Sequence, residues 1–134
     1  MIKDHPLLGV GLDNFLYQYR TRYVLPEAWQ ELDLSHPHNI VLDYWTRLGI
    51  LGVAALIWLE GAFFVKGLRL YRRLPDKSER ALVLGLMASM VACLAHGLID
   101  NSYFLVDLAF VFFLTMGVVA SMSAQTEIAS LRSQ

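Results

Sequence analysis

Three long apolar runs, separated by short polar stretches, dominate the pattern of this chain. Leu48–Val65, Ala81–Ile99 and about Phe104–Met122 each approach the roughly 18–20 apolar residues needed to cross a hydrocarbon core. They predict three membrane-spanning helices. Ahead of them lies a polar and aromatic segment of nearly fifty residues, mixed in pattern and read as helix and loop. The fold class that follows is all-α integral membrane, with three transmembrane helices behind an N-terminal extracytoplasmic segment.

Composition agrees, since more than half of the residues are hydrophobic. The net charge of −1 conceals an uneven distribution. Six of the eleven Lys and Arg residues (Lys66, Arg69, Arg72, Arg73, Lys77 and Arg80) fall between the first and second runs. Short basic loops stay on the cytoplasmic side. Residues 1–47 are therefore expected to be extracytoplasmic, in the periplasm. The three-helix region 48–123 runs in, out and in around the cytoplasmic loop 66–80, and 124–134 form a cytoplasmic tail. No secretory signal precedes the polar segment, and three helices are few for enclosing a polar site in lipid. The chain reads as the C-terminal part of a larger polytopic protein; the alternative is a small protein whose first helix inserts with its N-terminus outside.

The candidate chemistry gathers where the first run begins. His38-Asn39 is followed by Gly49-Ile50-Leu51-Gly52. If 38–52 were one helix, its 3.6-residue turn would bring His38, Leu42, Trp45, Gly49 and Gly52 onto one stripe. Glycines on such a stripe allow another helix to approach closely, which would leave His38 above a helix seam and open to water. A purely local helix-start role for His38 is the competing reading. His36-X-His38 is a poor metal pair on a helix, because i and i+2 side chains do not share a face, and no metal or other cofactor is expected.

Pro6-Leu7-Leu8-Gly9-Val10-Gly11 reads as a compact loop with two glycines suited to positive φ. Next, Phe15–Tyr23 interleaves aromatics with Arg20 and Arg22, and Trp29, Tyr44 and Trp45 add rings suited to a membrane interface. This segment is either an interfacial helix or a place where Arg20 or Arg22 meets an anionic ligand through paired guanidinium donors. A second polar cluster, His96, Asp100, Asn101 and Asp107, flanks the outer ends of the later runs. Asp100 follows His96 by four residues and could pair with it on a continuing helix, as a structural clasp or as part of a cavity lining. Glu60, within an apolar run, is expected to snorkel or to pair with Lys66. Cys93 is expected to be a buried, inert packing thiol. No phosphate-binding loop, nucleotide fold or zinc-finger spacing is present, and the basic loop is explained by topology rather than by nucleic acid.

Taken in order, His5-Pro6-Leu7-Leu8-Gly9-Val10-Gly11, Asn14-Phe15, His38-Asn39, Gly49 with Gly52, His96-Gly97 and Asp100-Asn101 resemble the C-terminal half of the O-antigen ligase and polymerase family. The likeness runs from about His5 to Gly117. It implies a multi-pass protein of the bacterial inner membrane that moves a glycan from an undecaprenyl pyrophosphate carrier to a lipid or glycan acceptor. His38 matches the family's essential histidine and would be the catalytic base. Arg20, Arg22 and Asn39 would bind substrate, and Gly49, Gly52, His96, Asp100 and Asn101 would support or line the cavity. The ligase pattern continues with two threonines where this chain has Val53-Ala54. The family's pyrophosphate-binding arginines lie upstream of the His-Pro-Leu-Leu-Gly segment. Rival readings are a transporter subunit using His96, Asp100 and Asp107, and a non-catalytic membrane scaffold.

Overall fold

The computed structural model describes residues 1–27, 33–100 and 106–132. All regular elements among them are helical. They are α1 (Phe15–Gln18), a π-helical turn (Tyr19–Tyr23), α2 (Ile40–Arg73), α3 (Lys77–Gly97) and α4 (Val106–Arg132). Ile40–Arg73, Lys77–Gly97 and Leu108–Arg132 are each long and apolar enough to cross a membrane. The expected all-α membrane architecture is therefore observed, and the chain is a membrane protein.

Each helix runs past its apolar stretch at one end at least. α2 starts eight residues before Leu48 because Asn39 caps it: Asn39 Oδ1 accepts from the amides of Val41 at 3.0 Å and Leu42 at 3.1 Å. At its other end α2 continues to Arg73, so most of the expected basic loop is helix and only Leu74, Pro75 and Asp76 separate α2 from α3. Pro75 cannot donate to an ongoing helix. Asp76 then caps α3, its Oδ1 accepting from Ser78 at 2.8 Å and Glu79 at 2.9 Å. α4 extends through Arg132, so nearly all of the expected tail is helical too.

The chain divides into two compact units. The first comprises Met1–Ile57 with His96–Phe104. Phe15, Ile40, Val53 and Leu56 are its buried apolar residues, alongside buried Asp43, Thr46 and Arg47. α3 closes on α2 here, since a Cβ on Gly97 would stand 3.3 Å from Ile40 Cβ. The second unit comprises Trp58–Ala95 with Leu105–Gln134. Phe63, Leu70, Leu74, Val83, Met90, Phe112 and Val119 are buried in it. Gly67 is the close approach between its helices, because an added Cβ would meet Met87 Sδ at 2.9 Å.

Two expectations in this second unit fail. Glu60 neither snorkels nor reaches Lys66: it is buried, and neither carboxylate oxygen has a hydrogen-bond partner among the described residues. Six helical positions separate Glu60 from Lys66, which puts them on different faces. Cys93 is exposed rather than buried, because α3 is apolar around its circumference and turns only part of it to the other helices.

Candidate active site

α2 is not the single stripe of His38, Leu42, Trp45, Gly49 and Gly52. His38 precedes the helix, and the helix breaks at Gly49, whose backbone is non-helical at φ 70° and ψ −165°. The break has an identifiable cause. Val10 N–H donates to Thr46 O at 2.8 Å and Gly11 N–H to Arg47 O at 2.9 Å, while Ile50 N–H donates to Pro6 O at 2.9 Å. The N-terminal loop thus takes over backbone groups that a continuous helix would pair with itself. Trp45 Nε1 adds a bond to Pro6 O at 3.2 Å.

Such backbone-to-backbone contact requires glycine. A Cβ on Gly9 would lie 2.5 Å from Arg47 C, and one on Gly49 would lie 2.1 Å from Leu7 O. Gly9 and Gly11 have the expected positive φ, 66° and 98°. Gly49 therefore admits the Leu7-Leu8 loop rather than a neighbouring helix. Gly52 is buried beneath the kink, against Leu48 of its own helix.

Arg47 fastens the same region, and sequence reasoning missed it. Its buried guanidinium donates from Nε to Asp43 Oδ1 at 2.6 Å, from one terminal nitrogen to Leu12 O, and from the other to Ser35 O at 3.3 Å. One side chain joins α2 to the loop on either side of α1. The available signal was an Asp-Arg pair at i and i+4 just ahead of an apolar run.

On this scaffold His38 meets Asp100, 62 positions away, with Nδ1 and Oδ1 separated by 2.9 Å. Asp100 takes His38 as its side-chain hydrogen-bond partner, and His96 adds a smaller charge interaction. α3 ends at Gly97, and the chain turns on His96 O, which accepts from the amides of Ile99 at 2.9 Å and Asp100 at 2.8 Å. That turn presents the Asp100 carboxylate to His38. Asn39 Nδ2 secures it by donating to Leu98 O at 2.8 Å. The Asn39 amide thus serves as cap at one end and clamp at the other, which makes it a positioning residue for the turn that carries Asp100.

The hydrogen bond from His38 holds the Asp100 carboxyl below the usual carboxylate range, with the charges of His38, His96 and His36 helping. An ionised Asp100 can only accept, so His38 Nδ1 carries the proton and a neutral ring keeps its lone pair on Nε2. The His38 and Asp100 side chains are 60% and 55% exposed, which leaves Nε2 open to a reactant. His36, pushed toward its neutral form by burial, lies with its ring centroid 5.4 Å from that of His38. His36 and His38 both precede α2, so the helical spacing that would turn their rings to different faces does not apply. One donor atom each from His36, His38 and Asp100 lie within 4.8 Å of one another, so these three could hold an ion.

Arg20 and Arg22 stand apart from this cluster. Both are in the π-helical turn, and Arg20 pairs with Asp33. No hydrogen bond or ion pair among the described residues joins either arginine to His38, Asn39 or Asp100. Asn101 and Trp29 lie outside the described residues, as does the side chain of Asp107.

The family model described as O-Antigen ligase matches residues 1–57. This segment is similar to the O-antigen ligase family. The match takes in the Pro6–Gly11 loop, Asn14, His38-Asn39, Gly49 and Gly52, and it ends before His96 and Asp100. An O-antigen ligase of Salmonella typhimurium is 38% identical over 64 residues, which is 46% of this chain and 16% of that protein. The chain thus corresponds to a small part of that relative's length. No solved structure matches. The matched stretch coincides with the first unit apart from its last piece, so Asp100, the partner of His38, comes from outside the matched segment.

Proposed function

We propose that this chain carries the catalytic base of a bacterial inner-membrane glycan transferase acting in lipopolysaccharide or related envelope polysaccharide assembly. The donor is a glycan on undecaprenyl pyrophosphate, and the acceptor is a hydroxyl of a sugar on a glycan or lipid. The observation that carries this reading is the His38–Asp100 hydrogen bond, on a segment similar to the O-antigen ligase family. His38 Nε2 takes the acceptor hydroxyl proton as that oxygen attacks the anomeric carbon. The bond from that carbon to the pyrophosphate oxygen breaks, and undecaprenyl pyrophosphate leaves with the electron pair. Asp100 keeps the imidazole in the receptive tautomer and steadies the imidazolium that forms.

Arg22 is the better of the two arginines for meeting the pyrophosphate, since Arg20 must first leave Asp33. The first unit faces the periplasm, where flipped carrier is available, and the basic end of α2 faces the cytoplasm.

The test is transfer by the intact protein that contains this chain. His38→Ala should lower the rate about 10²–10⁴-fold while membrane insertion and carrier binding persist. His96→Ala should lower transfer less than His38→Ala, whereas a proton-relay transporter would be hit harder at His96 than at His38. Full transfer by a well-inserted His38→Ala protein would end the base assignment.

A further inference from the structure

Two cavities adjoin where α2 meets α4 in the second unit. One, of about 240 Å³, is lined by Lys66, Arg69, Arg73, Ser123, Thr126 and Glu127, among others. The other, of about 250 Å³, is apolar and is lined by Trp58, Ala62, Phe63, Met116 and Val119. Lys66 and Ala120 border both, so the two lie side by side as a charged and an apolar part of one groove region.

The charge pattern of the groove is specific. Lys66, Arg69 and Arg73 recur at i, i+3 and i+7, which puts three cations on one helix face. Glu127 is the single carboxylate among the lining residues, leaving an excess of positive charge. Membrane topology requires basic residues near this end of the span, but not three of them directed into one cavity. Thr126 Oγ1 gives its proton to Met122 O at 2.9 Å, so there it offers only its lone pairs. From Lys66 the apolar cavity continues back along α2 to Trp58, eight residues or about 12 Å at the helical rise. A charged pocket opening into an apolar channel of that length matches a headgroup with the upper part of an acyl chain.

We infer that this groove binds an anionic glycerophospholipid, with its phosphate held by Lys66, Arg69 and Arg73 and an acyl chain against Ala62, Phe63 and Met116. Guanidinium groups suit a phosphodiester because they offer paired donors as well as charge. Basic pockets between spans are a recurring way of holding such headgroups. The inference depends on membrane insertion and not on the chemistry of His38, so either can fail without the other.

The experiment follows thermal unfolding of the intact protein in neutral detergent. Phosphatidylglycerol, phosphatidylcholine of matched chains, and inorganic phosphate are added separately. Binding to the folded state raises the midpoint. Phosphatidylglycerol should raise it by several degrees, phosphatidylcholine by less than half as much, and inorganic phosphate not at all. Arg69→Gln combined with Arg73→Gln, both at exposed positions, should erase the difference between the two lipids. Ala120→Trp, which fills the neck, should weaken the phosphatidylglycerol effect with the charges intact. Equal shifts from both lipids, or an undiminished preference in the double variant, would overturn the inference. A shift reproduced by inorganic phosphate alone would leave a free-anion pocket and overturn the lipid assignment.

Discussion

Gly49→Ala tests the link between the N-terminal loop and the broken helix. At φ 70° and ψ −165°, Gly49 occupies a region that is nearly exclusive to glycine, and an alanine held there is strained by about 1–3 kcal/mol. The new methyl would also sit 2.1 Å from Leu7 O and 2.4 Å from Leu8 N, which are backbone atoms with no rotamer to escape into. The loop must withdraw, and withdrawal breaks the Ile50–Pro6 bond of 2.9 Å and the Trp45–Pro6 bond of 3.2 Å. At about 0.5–1.5 kcal/mol each, these bring the expected loss to about 2–6 kcal/mol. Gly85→Ala is the control. A Cβ there meets nothing within 4 Å, so the change should stabilise α3 by about 0.5–1 kcal/mol. Thermal unfolding of the intact protein reads both variants. A Gly49→Ala protein within about 0.5 kcal/mol of wild type would refute the account of the kink.

Asp43→Ala should cost about 3–5 kcal/mol by leaving the buried Arg47 guanidinium without its carboxylate, and Asp43→Leu with Arg47→Met should recover much of that in a denaturation series. Asp100 titrates below its ordinary range in the folded protein, so its contribution is complete above about pH 4 and disappears as the pH falls through the lowered value. The stability difference between wild type and Asp100→Asn should therefore close on acidification; a gap that widened instead would reverse the sign. A reporter active only in the cytoplasm should be active when fused after Arg73 and silent after Asp33, and the opposite pattern would move His38 to a side where flipped carrier is absent.

The spans were legible because apolar length is a direct demand of the bilayer, and the His38-Asn39 and glycine motifs were legible as a pattern. Their physical roles were less so. Gly49 is a glycine because residues more than forty positions earlier in the chain lie against it, and no local spacing encodes that approach. A step of four residues made His96 the natural partner for Asp100. The end of α3 at Gly97 redirected the carboxylate to His38, a pairing set by which helix ends meet. Asn39 was legible as a polar residue beside His38, but its double engagement in capping α2 and clamping Leu98 was not. Cys93 shows the limit of equating apolar surroundings with burial, since a helix that is apolar on every face does not reveal which face turns inward.

The central claim is that His38, held by Asp100, takes the proton of the acceptor. Its most direct test is the pH dependence of kcat/KM for glycan transfer by the intact protein, measured side by side for wild type and His38→Ala. The wild-type rate should fall on acidification as the imidazole is protonated, and the variant should be slower by about 10²–10⁴-fold with that acid limb gone. An acid limb that survives unchanged in His38→Ala, or a variant as fast as wild type, would show that the proton goes elsewhere.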